Sequence, residues 1–292
     1  MYEAAKKEML ATVYRYGPMT ASQLATVLNY RLPTLYAMAS QLSRQGLVRS
    51  IPLPFLRLNH VGYGLTAEGA KASAMLTGEE EGFRMKAWEK HPVQLEHVYG
   101  TNAFFVSLIR HSLTQEGEGL TEWQSTREAA EQYANFKESG KKTMLLRPDG
   151  LCTYVLPGRG RLVLHVEYDT GSENQWKLQD KLWLYGRVLS AAWRAVTAVH
   201  VLFVTKIEAR PKRLLRLWAS LGEGPLLGRP LPNVWAISES EWNRRGAEEA
   251  LWWGLEEKRL RLKDMPLLPM PLETDFPILG KQPREPSPML GR

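Results

Sequence analysis

The sequence predicts an α/β chain, α+β overall, in which a helix-rich first part precedes a longer part built on a mixed sheet. Three observations carry that expectation. Residues 3–46 hold three helical apolar patterns divided by turn residues, residues 120–238 alternate strand-like and helix-like runs, and the charge is spread unevenly: 38 Lys+Arg against 31 Asp+Glu over 292 residues. That length suits two units at roughly 100–200 residues per domain. No apolar run approaches the roughly 20 residues that span a bilayer. The opening MYEAAKKEML leads into no apolar signal-peptide core, so neither secretion nor a membrane partner is expected. Cys152 is the single cysteine, which excludes an internal disulfide and a multi-cysteine metal site and fits a reducing, cytoplasmic compartment.

The first part reads as helix, helix, turn, helix. EAAKKEMLATVYR, residues 3–15, places Ala4, Met9, Leu10, Val13 and Tyr14 at helical spacing, and Gly17-Pro18 stops the run. Thr20 stands as N-cap for ASQLATVL, with Leu24, Ala25 and Leu28 as its apolar stripe. After Asn29-Tyr30-Arg31, Pro33 suits the first turn of PTLYAMASQLSRQ. There Leu35, Met38, Ala39 and Leu42 point inward and Gly46 ends the helix. LVRSIPL and LNHVGYGLT are strand-like runs joined through Pro54 to Arg57, and a further helix begins at Thr66. No acidic residue lies between Glu8 and Glu68, whereas Arg15, Arg31, Arg44, Arg49 and Arg57 do. The field there is one-signed.

Residues 11–75 resemble a winged helix-turn-helix domain through MTASQLATVL, LPTLYAMASQLSRQGLV and GYGLTAEGAK. A helix fits the major groove, its polar face meets base edges, and flanking Arg side chains neutralise phosphates. On the second long helix Arg31, Thr34, Tyr36, Ala37, Gln41 and Arg44 are expected outward, with Arg49, Arg57 and His60 on the wing. Apart from Ala37, these are the expected DNA-binding residues.

TGEEEGFRMKAWEKHP, residues 77–92, reads as a charged connector closed by proline. Leu95, Val98, Tyr99, Asn102, Ala103, Phe105, Val106 and Ile109 then mark a long amphipathic helix. Strand signals follow at Leu120 to Gln124, LCTYVLP, RLVLHVEYD, AVHVLFVT and NVWAIS. Helices are expected near 173–194, 208–221 and 246–259. The boundaries are 1–77 for the winged helix-turn-helix DNA-binding domain, 78–92 for the linker, 93–245 for the mixed-sheet α/β domain, and 246–292 for a C-terminal helix and proline-rich tail. GRGR at 158–161 sits between two strands and reads as a hairpin turn, not a phosphate loop.

The acidic residues of the second part gather at that hairpin. A turn at 157–160 places Asp149 across from about Tyr168, within one residue of both Glu167 and Asp169. Val163, His165, Glu167 and Asp169 share one face of the second strand because side chains alternate. Carboxylates so close repel unless protons or a cation compensate, which points to Mg²⁺ with Asp149 and Glu167 as oxygen ligands. Solvated strand-end acids are the plainer alternative, and Pro-Asp-Gly is an ordinary turn signal. In the following helix Leu178, Leu182, Tyr185 and Leu189 face inward, which leaves Gln175, Lys177 and Lys181 on an adjoining face toward the acids.

Pro148-Asp149, one hairpin, then Glu167-Tyr168 and a third motif position resemble the PD-(D/E)XK nuclease superfamily. The resemblance implies catalysis by Asp149, Glu167 and the third position. That position holds Asp169 where a lysine is usual, so Lys177 or Lys181 from the helix becomes the basic group, or the site is inactive.

The order of the two parts carries a further resemblance. A winged helix is followed by LEHVYGTNAFFVSL, EWQSTRE, RPDG, HVEYDTGSE and a helix bearing KLQDKLWLYGRVL. This succession, over about residues 10–240, resembles the replication-relaxation family of Gram-positive plasmids and integrative elements, which joins a winged-helix DNA binder to a restriction-endonuclease-like domain. The resemblance implies a part in plasmid replication, mobilisation or its regulation, with double-stranded DNA as partner. A homodimer and contacts with replication or mobilisation proteins are in keeping with it. The alternatives are a Mg²⁺-dependent endonuclease or nickase and an assembly factor placed on DNA by its winged helix.

His97 is read as a core residue bonding a backbone group, and His165, on the acid face, as a packing residue, a metal ligand or a proton carrier. Eight tryptophans, Trp176 to Trp253, fall in the second half. Most are expected in the core or a dimer interface, with one or two available to stack on unpaired bases. The tail from Asp264 is proline-rich, which excludes helix, yet its Leu, Phe, Met and Ile content points to docking on its own or a neighbouring subunit.

Overall fold

The structure, a computed structural model, describes residues 2–56, 60–79, 88–134 and 145–269. The chain divides into two compact units, Met1–Ile109 and Arg110–Arg292. No described helix is long and apolar enough to cross a membrane. The expected linker falls in part, and the tail beyond Pro269 wholly, outside the described residues.

In the first unit, α1 (Tyr2–Tyr16), α2 (Ala21–Leu28) and α3 (Leu32–Arg44) precede a hairpin of β1 (Val48–Pro52) and β2 (Val61–Leu65), and α4 (Ala67–Thr77) follows. Ala5, four residues before Met9, joins the buried stripe of α1, and Ala4 is exposed. In α2, Ala21, Leu24 and Val27 are buried and Leu28 is half-exposed, because the inward stripe runs through every third residue of this short helix. Its N-terminus is a reciprocal cap: Gln23 N–H donates to Thr20 Oγ1 at 3.2 Å and Thr20 N–H to Gln23 Oε1 at 2.9 Å. Asn29 ends α2 in the left-handed region, φ 54°. That turn redirects the chain into α3, whose first turn holds Pro33.

Leu35, Met38, Ala39 and Leu42 are the buried residues of α3, as the spacing predicts. The hairpin pairs Val48 with Leu65 and Pro52 with Val61, and Met19 bridges to Tyr63 beside it. A Cβ on Gly69 would lie 1.9 Å from the Leu47 carbonyl oxygen, so only glycine lets α4 cross the strand there. The final helix of this unit, α5 (Pro92–Ser112), carries the buried Asn102, whose Nδ2 donates to the Tyr16 carbonyl at 3.1 Å. That bond satisfies a carbonyl at the end of α1 that has no helical partner. Ile51, Leu53, Trp88 and Leu95 form a cluster beneath the hairpin.

The second unit is a seven-stranded sheet in the order β3-β4-β5-β6-β7-β8-β9. Its strands are β3 (Gly119–Ser125), β4 (Gly150–Leu156), β5 (Gly160–Asp169), β6 (Val199–Thr205), β7 (Asn233–Ser238), β8 (Trp252–Trp253) and β9 (Arg259–Leu260). The pairs from β3 to β5 and from β7 to β9 are antiparallel, while β5, β6 and β7 run parallel. Parallel neighbours need crossovers, and α7 (Gln175–Ala192) and α8 (Arg210–Glu223) supply them. A short α6 (Thr126–Gln132) follows β3, with Ser125 and Glu128 as a reciprocal cap. Leu178, Leu182, Tyr185 and Leu189 of α7 and Leu214, Trp218 and Leu221 of α8 share one buried core with Val163, Val201, Phe203 and Ala236.

The last helix, α9, occupies Glu239–Glu249, not 246–259. Ser238 caps it at the end of β7, accepting from Glu241 N–H, and Gly246 at φ 74° breaks its helical path. The chain then adds β8 and β9 to the sheet edge. The start of the proline-rich segment docks on its own chain: Leu268 bridges Arg161, with Leu268 N–H donating to the Arg161 carbonyl at 2.9 Å. Gly160 admits that strand, since a Cβ there would lie 2.4 Å from the Leu268 carbonyl oxygen. Leu268 is 1% exposed. Leu268→Ala is therefore expected to lower the stability of the second unit by about 2–4 kcal/mol in chemical denaturation, the usual cost of a truncated core leucine. An unchanged midpoint would show that the docked segment contributes nothing.

Candidate functional site

Two places hold the residues to which the sequence points, one in each unit. In the second unit, Gly150 pairs with Val166, so the register sets Asp149 opposite Glu167. This is one residue from the position across Tyr168 that the turn centre predicts, because the hairpin loop holds three residues, 157–159, between Leu156 and Gly160. Asp149 N–H donates to the Val166 carbonyl at 3.0 Å, and Tyr168 N–H donates to Asp149 Oδ2 at 2.8 Å. Both acids thus lie at the carboxyl end of β5, where open sheets with parallel strands bind ligands.

Glu167 is 2% exposed and its carboxylate is satisfied on both oxygens. Lys181 Nζ donates to Oε2 at 2.9 Å, and Tyr185 Oη donates to Oε1 at 2.5 Å. Lys181 and Tyr185 stand four residues apart on α7, so one helical face delivers the cation and the hydroxyl together. Burial and then the neighbouring Asp149 push the Glu167 carboxyl up to about 7, against the pull of Lys181 and Tyr185. Burial opposes the charge on Lys181, but Glu167, Asp149 and Glu173 together hold its ammonium above its ordinary range. Glu173 Oε2 lies 3.2 Å from Lys181 Nζ. Burial and Glu167 also push the Tyr185 hydroxyl well upward.

Asp149, Glu167 and Lys181 therefore come together. The other two expected members of the site do not join them. Asp169 accepts from Arg210 Nε at 2.7 Å and from Gly171 N–H at 2.8 Å, which turns it toward the start of α8. Lys177 is exposed, one helical turn before Lys181. His165 lies deeper along the same strand face, with Tyr133 Oη 2.5 Å from its Nε2 and the His200 carbonyl 3.3 Å from its Nδ1. Trp193 Nε1 donates to Tyr133 Oη at 3.1 Å, which leaves the tyrosine proton for His165 and makes the imidazole a neutral core group. Burial holds His165 down at about 3.

A cation at Asp149 and Glu167 would have to displace the Lys181 ammonium and the Tyr185 hydroxyl from the Glu167 oxygens. Among the described residues no group of three or more His, Cys, Asp and Glu side chains is arranged to hold a metal ion. In this geometry the donor set does not fit a resident Mg²⁺. Sequence reasoning missed Tyr185 and Arg210 as partners of the acids. The i, i+4 spacing from Lys181 to Tyr185 was the available signal for the first, and nothing local marked the second.

In the first unit, Arg31 at the N-cap of α3 and Tyr36, Ala37, Ser40 and Arg44 on the helix are exposed, while Thr34 and Gln41 are half-buried at the margins. Tyr36 is 54% exposed. Arg49 on β1 is half-buried, His60 before β2 is exposed, and Arg57 lies outside the described residues. His97 is half-buried on α5.

A family model described as Replication-relaxation matches residues 10–201, more than half of the chain. No curated protein and no solved structure matches.

The raised Glu167 carboxyl sets the sign of a pH effect. Folded Glu167 holds its proton more tightly than the unfolded chain does, so the stability it contributes is present below the ordinary carboxylate range and is lost as pH rises through about 7. Relative to Glu167→Gln, the wild type is expected to lose stability between pH 5 and 7 by on the order of 1 kcal/mol per pH unit. Denaturation of both proteins across that range checks this. Parallel curves would contradict it.

Proposed function

The chain belongs to the replication-relaxation family, and on that premise we propose that it is a double-stranded DNA-binding protein of a mobile element, acting in plasmid replication, mobilisation or its regulation. The first unit is read as a winged helix-turn-helix, with α3 entering the major groove and β1–β2 as the wing. One observation carries the reading: exposed Arg31 and Arg44 bracket the outward face of α3, within a stretch that holds no acidic residue between Glu8 and Glu68. A helix so placed can meet base edges with its polar face while the two guanidinium groups contact phosphates.

The test is a duplex-DNA titration of the full chain over a salt series. Each phosphate contact adds roughly 0.9 to the slope of log affinity against log salt. Arg44→Ala is expected to weaken binding to duplexes of any sequence and to lower that slope by about one unit. Unchanged affinity and slope would remove α3 from the interface.

A second reading, a Mg²⁺-dependent endonuclease or nickase, is favoured by the convergence of Asp149, Glu167 and Lys181, with Lys181 reaching the acids from α7 in place of the motif lysine. Against it stands the engagement of both Glu167 oxygens by Lys181 and Tyr185. For a DNA binder without nuclease activity, supercoiled plasmid is expected to stay intact across a Mg²⁺ titration, with Glu167→Ala indistinguishable from wild type. Mg²⁺-dependent nicking that both Glu167→Ala and Lys181→Ala abolish would establish the enzyme instead.

A further inference from the structure

Seven of the ten tryptophans are buried and two are half-buried, whereas Trp176, in the first turn of α7, is 75% exposed. It is not an isolated apolar residue. Trp176, Asp180, Trp183 and Arg187 fall at i, i+4, i+7 and i+11, which is one face of the helix, opposite the buried stripe of Leu178, Leu182 and Tyr185. Trp183 is half-buried against the core, and the Arg187 guanidinium lies 5.4 Å from its ring centroid, so Trp176 is the open ring of the pair. The neighbouring helix adds cations: Lys212, Arg213 and Arg216 are exposed on α8, and no acidic residue lies between Glu208 and Glu223. Arg213 Nη2 donates to Gln175 Oε1, which draws one of these charges to the turn that carries Trp176.

We propose that the outer face of α7 and α8 binds single-stranded DNA, with the exposed Trp176 stacking an unpaired base and Lys212, Arg213 and Arg216 contacting the phosphate backbone. Aromatic rings with interspersed cations are the means by which proteins hold single strands without reading sequence. The composition of the face favours this occupant over a protein. Its exposed positions include Gln175, Trp176, Lys177 and Asp180 on α7 and Lys212, Arg213, Arg216 and Ser220 on α8, and the leucines and valine of both helices are buried or half-buried, unlike the aliphatic side chains that fill the centre of a protein interface. A duplex keeps its base faces stacked inside and cannot offer them to Trp176, so an unpaired strand is the form that fits. Asp180, one turn after Trp176, is the acid on the stripe and limits how closely a phosphate approaches there. This surface belongs to the second unit and α3 to the first, so the proposal does not depend on how α3 reads duplex DNA.

The experiment titrates the full chain into a fluorescein-labelled oligothymidylate and, in parallel, a blunt duplex, following anisotropy. Trp176→Ala and the pair Arg213→Gln, Arg216→Gln are each expected to weaken oligothymidylate binding about tenfold, with circular-dichroism melting unchanged because all three side chains are exposed. Arg44→Ala should leave oligothymidylate affinity unaltered. Wild-type affinity for the single strand in Trp176→Ala, or no binding of the single strand by the wild type, overturns the proposal. So does a dimer, seen by sedimentation, that Trp176→Ala dissociates, since the ring would then serve a protein contact. Loss of duplex binding without loss of single-strand binding bears on α3 alone.

Discussion

The second unit is organised around one buried carboxylate. Glu167 sits at the carboxyl end of the interior strand β5, on the face that α7 covers, and is almost wholly removed from water. A charge buried in that way is costly unless paired and hydrogen-bonded. Lys181 and Tyr185, one turn apart on α7, offset part of that cost, and the pairing constrains the helix: only a narrow range of rotation brings both groups to Glu167 while Leu178, Leu182 and Leu189 still reach the core. The next inward position on β5 shows the same logic with a different partner. Asp169 is held by Arg210 at the start of α8, whose second nitrogen also meets the Glu173 carbonyl at 2.8 Å. The two crossover helices are thus tied electrostatically to the end of one strand, as well as by their apolar faces.

That arrangement defines what the acidic cluster can do. Both Glu167 oxygens are engaged from within, by an ammonium and a hydroxyl, while Asp149 still pushes the Glu167 carboxyl upward. The basic and aromatic surface lies on the other side of the same helices, so α7 presents its inward face to Glu167 and its outward face to solvent with Trp176 and Arg187. The first unit is simpler: an apolar stripe fixes α3, and the face left over carries arginine and tyrosine.

Much of this is legible in the sequence where a local signal has one meaning. Thr20 marks the start of α2, Pro33 the first turn of α3, and the alternation along 160–169 both strand β5 and the face shared by Glu167 and Asp169. Asp149 is placed across the hairpin to within one residue, the error arising from the loop length. The sequence is less legible where partners are distant in the chain. Nothing near Asp169 announces that Arg210, 41 residues away, will take its charge. The glycine at 246 looks like a helix residue until its positive φ shows that the helix lies earlier. Asn102 reads as one polar residue on an apolar helix, and its role as the cap for the Tyr16 carbonyl exists only once α1 and α5 have folded together.

The central claim is that α3 is the surface that meets duplex DNA. Hydrogen exchange of the full chain, read by mass spectrometry with and without saturating duplex, addresses it directly. Slowed exchange in peptides covering 32–44 and 48–65 is expected on adding DNA. Exchange unchanged in those peptides, with protection confined to the second unit, would contradict it.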